Sequence, residues 1–305
     1  LDLTADIGRE RGIEVDMEGF EAAMDRQRER ARAASRFSMG ASVEYTGRRT
    51  EFLGYDRLKT EATVLALYEG GSAVQRLAEG ARGVVVLDRT PFYAESGGQV
   101  GDQGTISING GKTLITVSDI AKKLDDMHVH MGVVTKGTVK VEDEATFKVD
   151  GTRRSSIRGH HSATHLLHAA LRRTLGAHVK QAGSLVAPDR LRFDFVHFEP
   201  ISDETLERIE WLVNEQIVRN APVVTEVRST ADAIAAGAMA LFGEKYGDQV
   251  RVVTVPDFSM ELCGGTHVQA TGDIGLFAIV AESGVAAGVR RIEAVTGLEA
   301  VSWVH

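Results

Sequence analysis

The sequence has 305 residues, of which 43% are hydrophobic and 26% are charged, and its formal net charge is −8 at pH 7. These are ordinary values for a soluble globular protein, and the length accommodates two domains or one large one. Residues 1–4 lack the basic-then-apolar pattern of a signal peptide, and no apolar run reaches the length of a membrane span. A chain that begins with Leu in this way is expected to be a piece of a longer protein. Its one cysteine, Cys263, excludes an intrachain disulfide, and a cytoplasmic location is predicted.

The first segment, residues 1–38, is predicted to be a helical linker. Asp2 is expected to cap a short helix that ends at Gly12, and Asp16 to cap a second one with apolar residues at helical spacing. Residues 26–32 are polar and strongly helix-forming, which is more typical of a connector than of a core element.

From residue 39 to residue 150 the pattern changes to short β runs broken by glycines. The runs that suit strands are 63–68, 83–87, 105–108 and 113–117. Between the last two runs, Asn109 and Gly110 form a dipeptide that is typical of hairpin turns. Several short strands with frequent turns predict a small β-barrel subdomain over 39–150.

After residue 150 the chain alternates between helices and strands in an irregular order, which predicts an α+β core over 151–305. One helix is predicted over 161–175, ending at Gly176, and a second one begins after Ser202 with Pro222 beyond its end. Strands are predicted at 250–255, 276–281 and 289–295. The predicted fold class is therefore α+β, with the helical linker and the β-barrel preceding the core.

Two short motifs together form the most specific chemical pattern of the chain. His161 and His165 are four residues apart, so on a helix they lie on one face and can converge on one ion. Cys263 and His267 flank two glycines that let a loop bring both ends to one ion. Three histidines and a cysteine suit tetrahedral Zn²⁺. Each motif is weak alone, since a lone cysteine is often only a small buried hydrophobe, but the combination predicts a zinc site.

The same motifs exclude two classes of zinc enzyme. Peptidases of the HExxH type need a Glu directly after the first His, where this chain has Ser162. Zinc deaminases need a C-x-x-C motif, which one cysteine cannot supply. His168, one turn after His165, is predicted to be an ordinary surface or core histidine, with a partner of the metal ligands as the alternative.

Six longer motifs follow one another in order along the chain. They are TPFYAESGGQVGDQG (90–104), HSATHLLHAAL (161–171), QAGSL (181–185), LRFDF (191–195), CGGTH (263–267) and GVRRIEAVTG (288–297). With residues 51–56 and the opening segment, they closely resemble the alanyl-tRNA synthetase family. The part resembled is the editing region, without the aminoacylation and carboxy-terminal domains, so neither ATP use nor alanine activation is predicted.

The resemblance implies a β-barrel followed by a zinc-containing editing core. It also implies an enzyme that hydrolyses mischarged tRNA(Ala), removing serine or glycine from the ester with the 3′-terminal ribose. The implied zinc ligands are His161, His165, Cys263 and His267. The implied catalytic positions are Thr164, Gln181 and Cys263. The implied partner is tRNA(Ala) mischarged with serine or glycine, and the chain is expected to be monomeric.

Three features around these motifs leave alternatives open. His160 stands where the family often has Asn, either as a spare ligand or as a plain substitution. The glycine-rich residues 97–104 lack a GK[ST] ending, which excludes a nucleoside triphosphate site and favours tight turns near the tRNA end. Residues 153–192 hold eight basic residues and one acid, which predicts a phosphate-binding surface, with a locally neutralised helix face as the alternative.

The alternative function is a zinc-stabilised tRNA-binding module without independent hydrolytic activity. A third interpretation is a generic zinc hydrolase of small esters. Whether zinc is catalytic, orients the substrate or is structural stays open, because four protein ligands make a closed coordination shell.

Overall fold

The computed structural model describes residues 19, 45, 47–123, 127–239 and 246–305. The predicted helical linker over 1–38 lies outside this part of the chain, apart from Gly19. Among the helices of the described residues, none combines the length and the apolar character that crossing a membrane requires.

The first half of the described chain is built from β-strands that close into a barrel. The strands are β1 (Glu51–Phe52), β2 (Glu61–Glu69), β3 (Ser72–Val74), β4 (Arg76–Ala78), β5 (Arg82–Leu87), β6 (Arg89–Thr90), β7 (Gly104–Ile108), β8 (Thr113–Lys123), β9 (Met127–Lys136), β10 (Thr138–Lys140) and β11 (Glu144–Val149). Neighbouring strands follow the order β11-β7-β8-β9-β5-β2-β3, and β11 also pairs with β2. This last pairing closes six strands into a barrel, so the predicted β-barrel is confirmed.

The interior of the barrel follows from the two-residue period of its strands. Strand β11 alternates exposed and buried residues along its whole length, because successive side chains of a strand point to opposite faces. Phe92, Ile106 and Phe147 are fully buried in the barrel core. The rings of Phe92 and Phe147 meet edge to face with their centroids 5.7 Å apart.

The hairpin between β7 and β8 turns at the predicted dipeptide. Asn109 has a φ of 49° and Gly110 a φ of 70°, in the left-handed region that these two residue types tolerate best. The two strands pair antiparallel on either side, from Ile108 opposite Thr113 outwards. The predicted hairpin is therefore confirmed.

The second half of the chain mixes helices with two antiparallel sheets. Its elements are α1 (Gly151–Leu175), β12 (Gln181–Val186), β13 (Leu191–Val196), α2 (Asp203–Arg219), β14 (Val224–Ser229), α3 (Thr230–Ala235), β15 (Gln249–Val255), β16 (Ser259–Leu262), β17 (Phe277–Ala286), β18 (Val289–Thr296) and α4 (Gly297–Val304). One sheet has the order β12-β13-β18-β17 and the other β14-β15-β16. Leu167 of α1 and Val213 of α2 share one core with Phe193 and Ile292 of the larger sheet. Helices beside antiparallel sheets agree with the predicted α+β class.

Helix α1 begins earlier than predicted but ends at the predicted residue. It starts at Gly151 rather than at residue 161, because Asp150 caps it and its carboxylate accepts a hydrogen bond from the Arg153 amide at 3.0 Å. It ends at Gly176, whose φ of 117° breaks the helix. The predicted end is confirmed and the predicted start is wrong, since the basic first turns show no apolar period.

The two halves have separate hydrophobic clusters. The fully or nearly fully buried residues of the barrel cluster fall between Ala62 and Val149, and those of the core cluster between Ala163 and Ala294. The division into domains at 1–38, 39–150 and 151–305 stays a prediction.

A buried ion pair joins helix α1 to the barrel. Arg154 of α1 is fully buried, and its guanidinium contacts both carboxylate oxygens of Asp102. It also donates hydrogen bonds to the carbonyl oxygens of Gly54 at 2.6 Å and Pro91 at 2.9 Å. All these partners belong to the barrel half of the chain, so this side chain links α1 to it.

Candidate metal centre

Helix α1 presents His161 and His165 side by side. Their rings are nearly parallel, with an interplanar angle of 16° and centroids 5.2 Å apart, as expected for residues one turn apart on one helix face. Leu166 and Leu167 of the same helix are fully buried in the core cluster. The packing of this apolar face holds the two imidazoles in place.

The loop after β16 brings Cys263 and His267 to the same point. A Cβ atom on Gly265 would lie 2.1 Å from Cε1 of His161, so this position has no room for a larger residue. A Cβ atom on Gly264 would meet nothing within 4 Å. Of the two glycines of the motif, Gly265 is therefore the one whose size the site requires.

Arg251 of β15 binds the backbone of this loop. Its Nη1 donates hydrogen bonds to the carbonyl oxygens of Gly265 at 2.6 Å and Cys263 at 3.2 Å. Its guanidinium lies 4.0 Å from the ring centroid of Tyr55, and the Tyr55 hydroxyl donates to the carbonyl oxygen of Gly264 at 2.8 Å. Tyr55, which lies between β1 and β2 in the barrel half of the chain, thus contacts the metal-binding loop.

The four predicted ligands converge. One donor atom from each of His161, His165, Cys263 and His267 lies within 4.8 Å of all the others. The Sγ atom of Cys263 lies 3.3 Å from Nε2 of His161 and 3.5 Å from Nε2 of His267. Bonds of about 2.0–2.3 Å in a tetrahedron set the ligand atoms roughly 3.3–3.8 Å apart. The two sulfur–nitrogen distances lie in this range, and the donor set suits a zinc ion, whose presence here remains a proposal.

Glu261 of β16, which the sequence patterns did not single out, lies directly behind His165. Its buried carboxylate accepts hydrogen bonds from Nδ1 of His165 at 2.8 Å and from Nδ1 of His168 at 3.0 Å. The first bond leaves Nε2 of His165 facing the cluster. His168 is therefore more than an ordinary core histidine, because it shares a carboxylate with one of the candidate ligands.

Gln99, in the glycine-rich segment of the barrel, contacts Nδ1 of His161 as Glu261 contacts Nδ1 of His165. Its side-chain oxygen lies 2.7 Å from Nδ1 of His161, and it is fully buried. Only the run of glycines around it could have drawn attention to this residue in the sequence.

The cluster is electrostatically coupled. Burial raises the pKa of the Cys263 thiol, but the histidines around it outweigh burial and hold that pKa well below its ordinary value. Burial lowers the pKa of His165, yet Glu261 and Cys263 raise it to about 10. Burial lowers the pKa of His267 to about 3, against the opposing effect of Cys263. A thiolate next to neutral and charged imidazoles is the state from which metal binding releases a proton.

A cleft of about 320 Å³ opens onto the cluster, and the two predicted polar positions line it. Thr164 is buried, and its hydroxyl donates a hydrogen bond to the carbonyl oxygen of His160 at 2.8 Å. Gln181 is half-buried at the start of β12. Cys263 also faces this cleft and is itself partly exposed. The structure thus brings the predicted catalytic positions into one cleft, while their roles stay a prediction.

His160 points away from the cluster. It is fully buried, and its Nε2 accepts a hydrogen bond from the backbone amide of Thr296 at 3.1 Å. One residue along a helix turns the side chain by about 100°, which separates His160 from the face that carries His161. His160 is therefore not a spare ligand.

Most basic residues around α1 bind the protein itself. Arg154 is buried against Asp102. Backbone carbonyl oxygens accept hydrogen bonds from the side chains of Arg153, Arg158, Arg172 and Arg173. The prediction of an open phosphate-binding surface over 153–192 is wrong for Arg154, and local neutralisation describes that residue better.

Two family models match the chain. The first, described as tRNA synthetases class II (A), matches residues 1–153. The second, the threonyl and alanyl tRNA synthetase second additional domain, matches residues 250–293, which include Cys263 and His267. The chain belongs to the class II (A) tRNA synthetase family.

Within that family its relatives are alanine–tRNA ligases, so the predicted resemblance is confirmed. The chain is 57% identical to the ligases of Halorhodospira halophila and Methylobacillus flagellatus, and 53% identical to that of Paraburkholderia xenovorans. These alignments cover 97–100% of the chain but only 34–35% of the relatives. The chain thus spans about a third of the length of the curated relatives that it matches.

Proposed function

We propose that this chain hydrolyses mischarged tRNA(Ala), releasing serine or glycine from its ester with the 3′-terminal ribose. The observation that carries the proposal is the cleft in which His161, His165 and Cys263 stand beside Thr164 and Gln181. The relatives named alanine–tRNA ligases supply the substrate, because a pocket for alanine rejects glycine and serine by only a few kcal/mol. A second, hydrolytic site is the usual remedy.

A zinc ion held by the four ligands would act as a Lewis acid or lower the pKa of a bound water to about 7. The protein supplies the surroundings. Cys263 is partly exposed to the cleft, whereas the three histidines are at most 8% exposed. The cluster therefore has one accessible side, and a substrate ester is expected to approach from there.

We assign Thr164 the recognition of serine. Because its own proton is directed to the carbonyl oxygen of His160, the hydroxyl oxygen of Thr164 is available as an acceptor. The hydroxyl of a seryl group can donate to this acceptor, and the methyl group of an alanyl group cannot. Gln181, on the same cleft, offers both a donor and an acceptor to the attacking water or to the amino group.

The competing function is a zinc-stabilised tRNA-binding module without hydrolysis. A purely structural zinc site has a closed shell of four protein ligands and needs no adjoining cleft. The opening of the cluster onto a cleft that also holds two polar side chains favours the hydrolase.

The test is deacylation of Ser-, Gly- and Ala-tRNA(Ala) under single-turnover conditions. We expect release of serine or glycine with alanine spared, and loss of this release in Cys263→Ala when circular dichroism shows a folded protein. Tight tRNA binding and bound zinc without deacylation would establish the binding module instead. Hydrolysis of simple amino acid esters at a comparable rate would point to a generic esterase.

Thr164→Val tests the assigned selectivity. Losing one hydrogen bond should reduce the preference for serine over alanine about tenfold, equivalent to roughly 1.4 kcal/mol. Thr146→Val is the matched control, since Thr146 is exposed on the barrel strand β11. An unchanged ratio in Thr164→Val would remove Thr164 from the selective machinery.

A further inference from the structure

The glycine-rich segment of the barrel crosses to the core of the second half. Between β6 and β7 it pairs with the end of β12: the Val186 amide donates to the carbonyl oxygen of Gly98 at 2.7 Å, and the Val100 amide donates to that of Val186 at 3.0 Å. Gly98 has a φ of 85°, and a Cβ atom there would lie 2.6 Å from the carbonyl oxygen of Ser184. The glycine permits this approach, and it places Gln99 inside the protein.

The side chain of Gln99 is held by three hydrogen bonds. Its Oε1 accepts from the Thr266 backbone amide at 2.9 Å, and its Nε2 donates to Oγ1 of Thr266 at 2.9 Å. The third bond joins Oε1 to Nδ1 of His161 at 2.7 Å. Because a backbone amide can only donate, the atom that faces Thr266 N and His161 must be the oxygen of the Gln99 amide.

This orientation determines the tautomer of His161. An amide oxygen cannot donate, so Nδ1 of His161 carries the proton and gives it to Gln99. In the neutral imidazole, Nε2 of His161 then carries the lone pair, 3.3 Å from Sγ of Cys263 at the centre of the cluster. Gln99 therefore presents the imidazole to an ion in the form that can bind it.

Gln99 also links the two ligand motifs. Its bonds to Thr266 tie it to the loop that carries Cys263 and His267. Its bond to Nδ1 of His161 ties it to helix α1. The Cβ position of Gly265 lies 2.9 Å from Oε1 of Gln99, so the loop packs directly against this amide. Its polar atoms are all engaged in these contacts.

We infer that Gln99 is a positioning residue through which the β-barrel sets the metal affinity of the cluster. The inference rests on the zinc site proposed above but not on hydrolysis of any tRNA. It assigns to the barrel a direct part in a site whose four ligands all lie in the second half of the chain.

The experiment measures zinc affinity by chelator competition and the visible absorption of the cobalt-substituted protein. Gln99→Met keeps the shape of the side chain and removes its three hydrogen bonds, and we expect zinc affinity to fall about 10–100-fold with a changed cobalt spectrum. Gln99→Glu keeps both accepted hydrogen bonds and should restore affinity to within about threefold of the unchanged protein. Gln103→Met is the control, because Gln103 belongs to the same segment and is exposed, and its side chain bonds only the carbonyl oxygen of Ser118 among the described residues.

Each outcome decides between the possibilities. If Gln99→Met does not fold, Gln99→Asn replaces it: this side chain is too short to reach His161 but keeps a buried amide, and the same loss of affinity is expected. A zinc affinity within about threefold of the unchanged protein and an unaltered cobalt spectrum in a folded variant would overturn the inference. An unchanged protein that binds no zinc would overturn the metal site itself, and a zinc-binding protein without deacylation would overturn only the proposed hydrolysis.

Discussion

Replacing Arg154 by Met should destabilise the protein far more than the loss of any exposed charge. The substitution leaves the Asp102 carboxylate buried, with 1% of its side chain exposed. Of the hydrogen bonds that the described residues make to this carboxylate, only that from the Tyr93 amide at 2.6 Å remains. It also leaves the carbonyl oxygens of Gly54 and Pro91 without the guanidinium that now donates to them.

The magnitude follows from this burial. Removing one partner of a buried ion pair costs about 3–5 kcal/mol, because the remaining charge is uncompensated. Since the free energy of unfolding of a domain is typically about 5–15 kcal/mol, this is a large share of it. Arg219→Ala is the matched control: the Arg219 and Glu215 side chains are 58% and 41% exposed, and an exposed pair of this kind contributes about 0.3–0.5 kcal/mol.

The assay is equilibrium unfolding in urea, followed by far-ultraviolet circular dichroism. Asp102→Leu in the Arg154→Met background should recover part of the loss, because it removes the stranded charge. A loss below about 1 kcal/mol in Arg154→Met would show that the carboxylate reaches water or a new partner, and would refute the reasoning.

Three further predictions concern the site and the barrel. Gly265→Ala should abolish or strongly weaken zinc binding in a chelator competition, because the added Cβ atom would collide with the His161 ring. Gly264→Ala should leave zinc binding unchanged, because a Cβ atom there meets nothing within 4 Å. Equal effects of the two substitutions would contradict this prediction. Glu261→Gln should lower zinc affinity about 10–100-fold, since it removes the carboxylate behind His165, and an unchanged affinity would argue against that support. Burial lowers the pKa of His130 from its ordinary value of about 6.5 to about 3. Between these two pH values the unfolded chain binds a proton that the folded protein does not, so the free energy of unfolding decreases as the pH falls through this window. Urea unfolding at pH 7 and pH 5 should show about 2 kcal/mol of this loss, and His130→Gln should remove it.

The sequence alone predicted those structural elements whose signal lies in neighbouring residues. Four of the six barrel strands, the hairpin at Asn109 and Gly110 and the helix end at Gly176 each depend on residues within one turn or one strand. The same holds for the pairing of His161 with His165, which helical geometry alone dictates. Convergence of the two ligand motifs needed the combined chemistry of cysteine and histidine, because nearly a hundred residues separate them.

The parts that sequence reasoning missed are long-range contacts of polar residues. Gln99 and Glu261 reach the ligands across separations of 62 and 96 residues, and neither belongs to a metal-binding pattern. Arg154 was counted with a basic surface because charge patterns do not reveal burial, which here depends on Asp102 in the barrel half. The start of α1 was missed for a different reason: its basic first turns show no apolar period, and Asp150 alone marks the cap.

The pairing of the glycine-rich segment with Val186 has a consequence for self-association. Strand β12 is the outermost strand of its sheet, and an uncovered edge of this kind offers unpaired amide and carbonyl groups to a strand of another molecule. The segment around Gly98 and Val100 occupies both backbone groups of Val186. A chain shortened to the second half would uncover that edge, and its tendency to aggregate is expected to rise even where its own hydrophobic core stays intact.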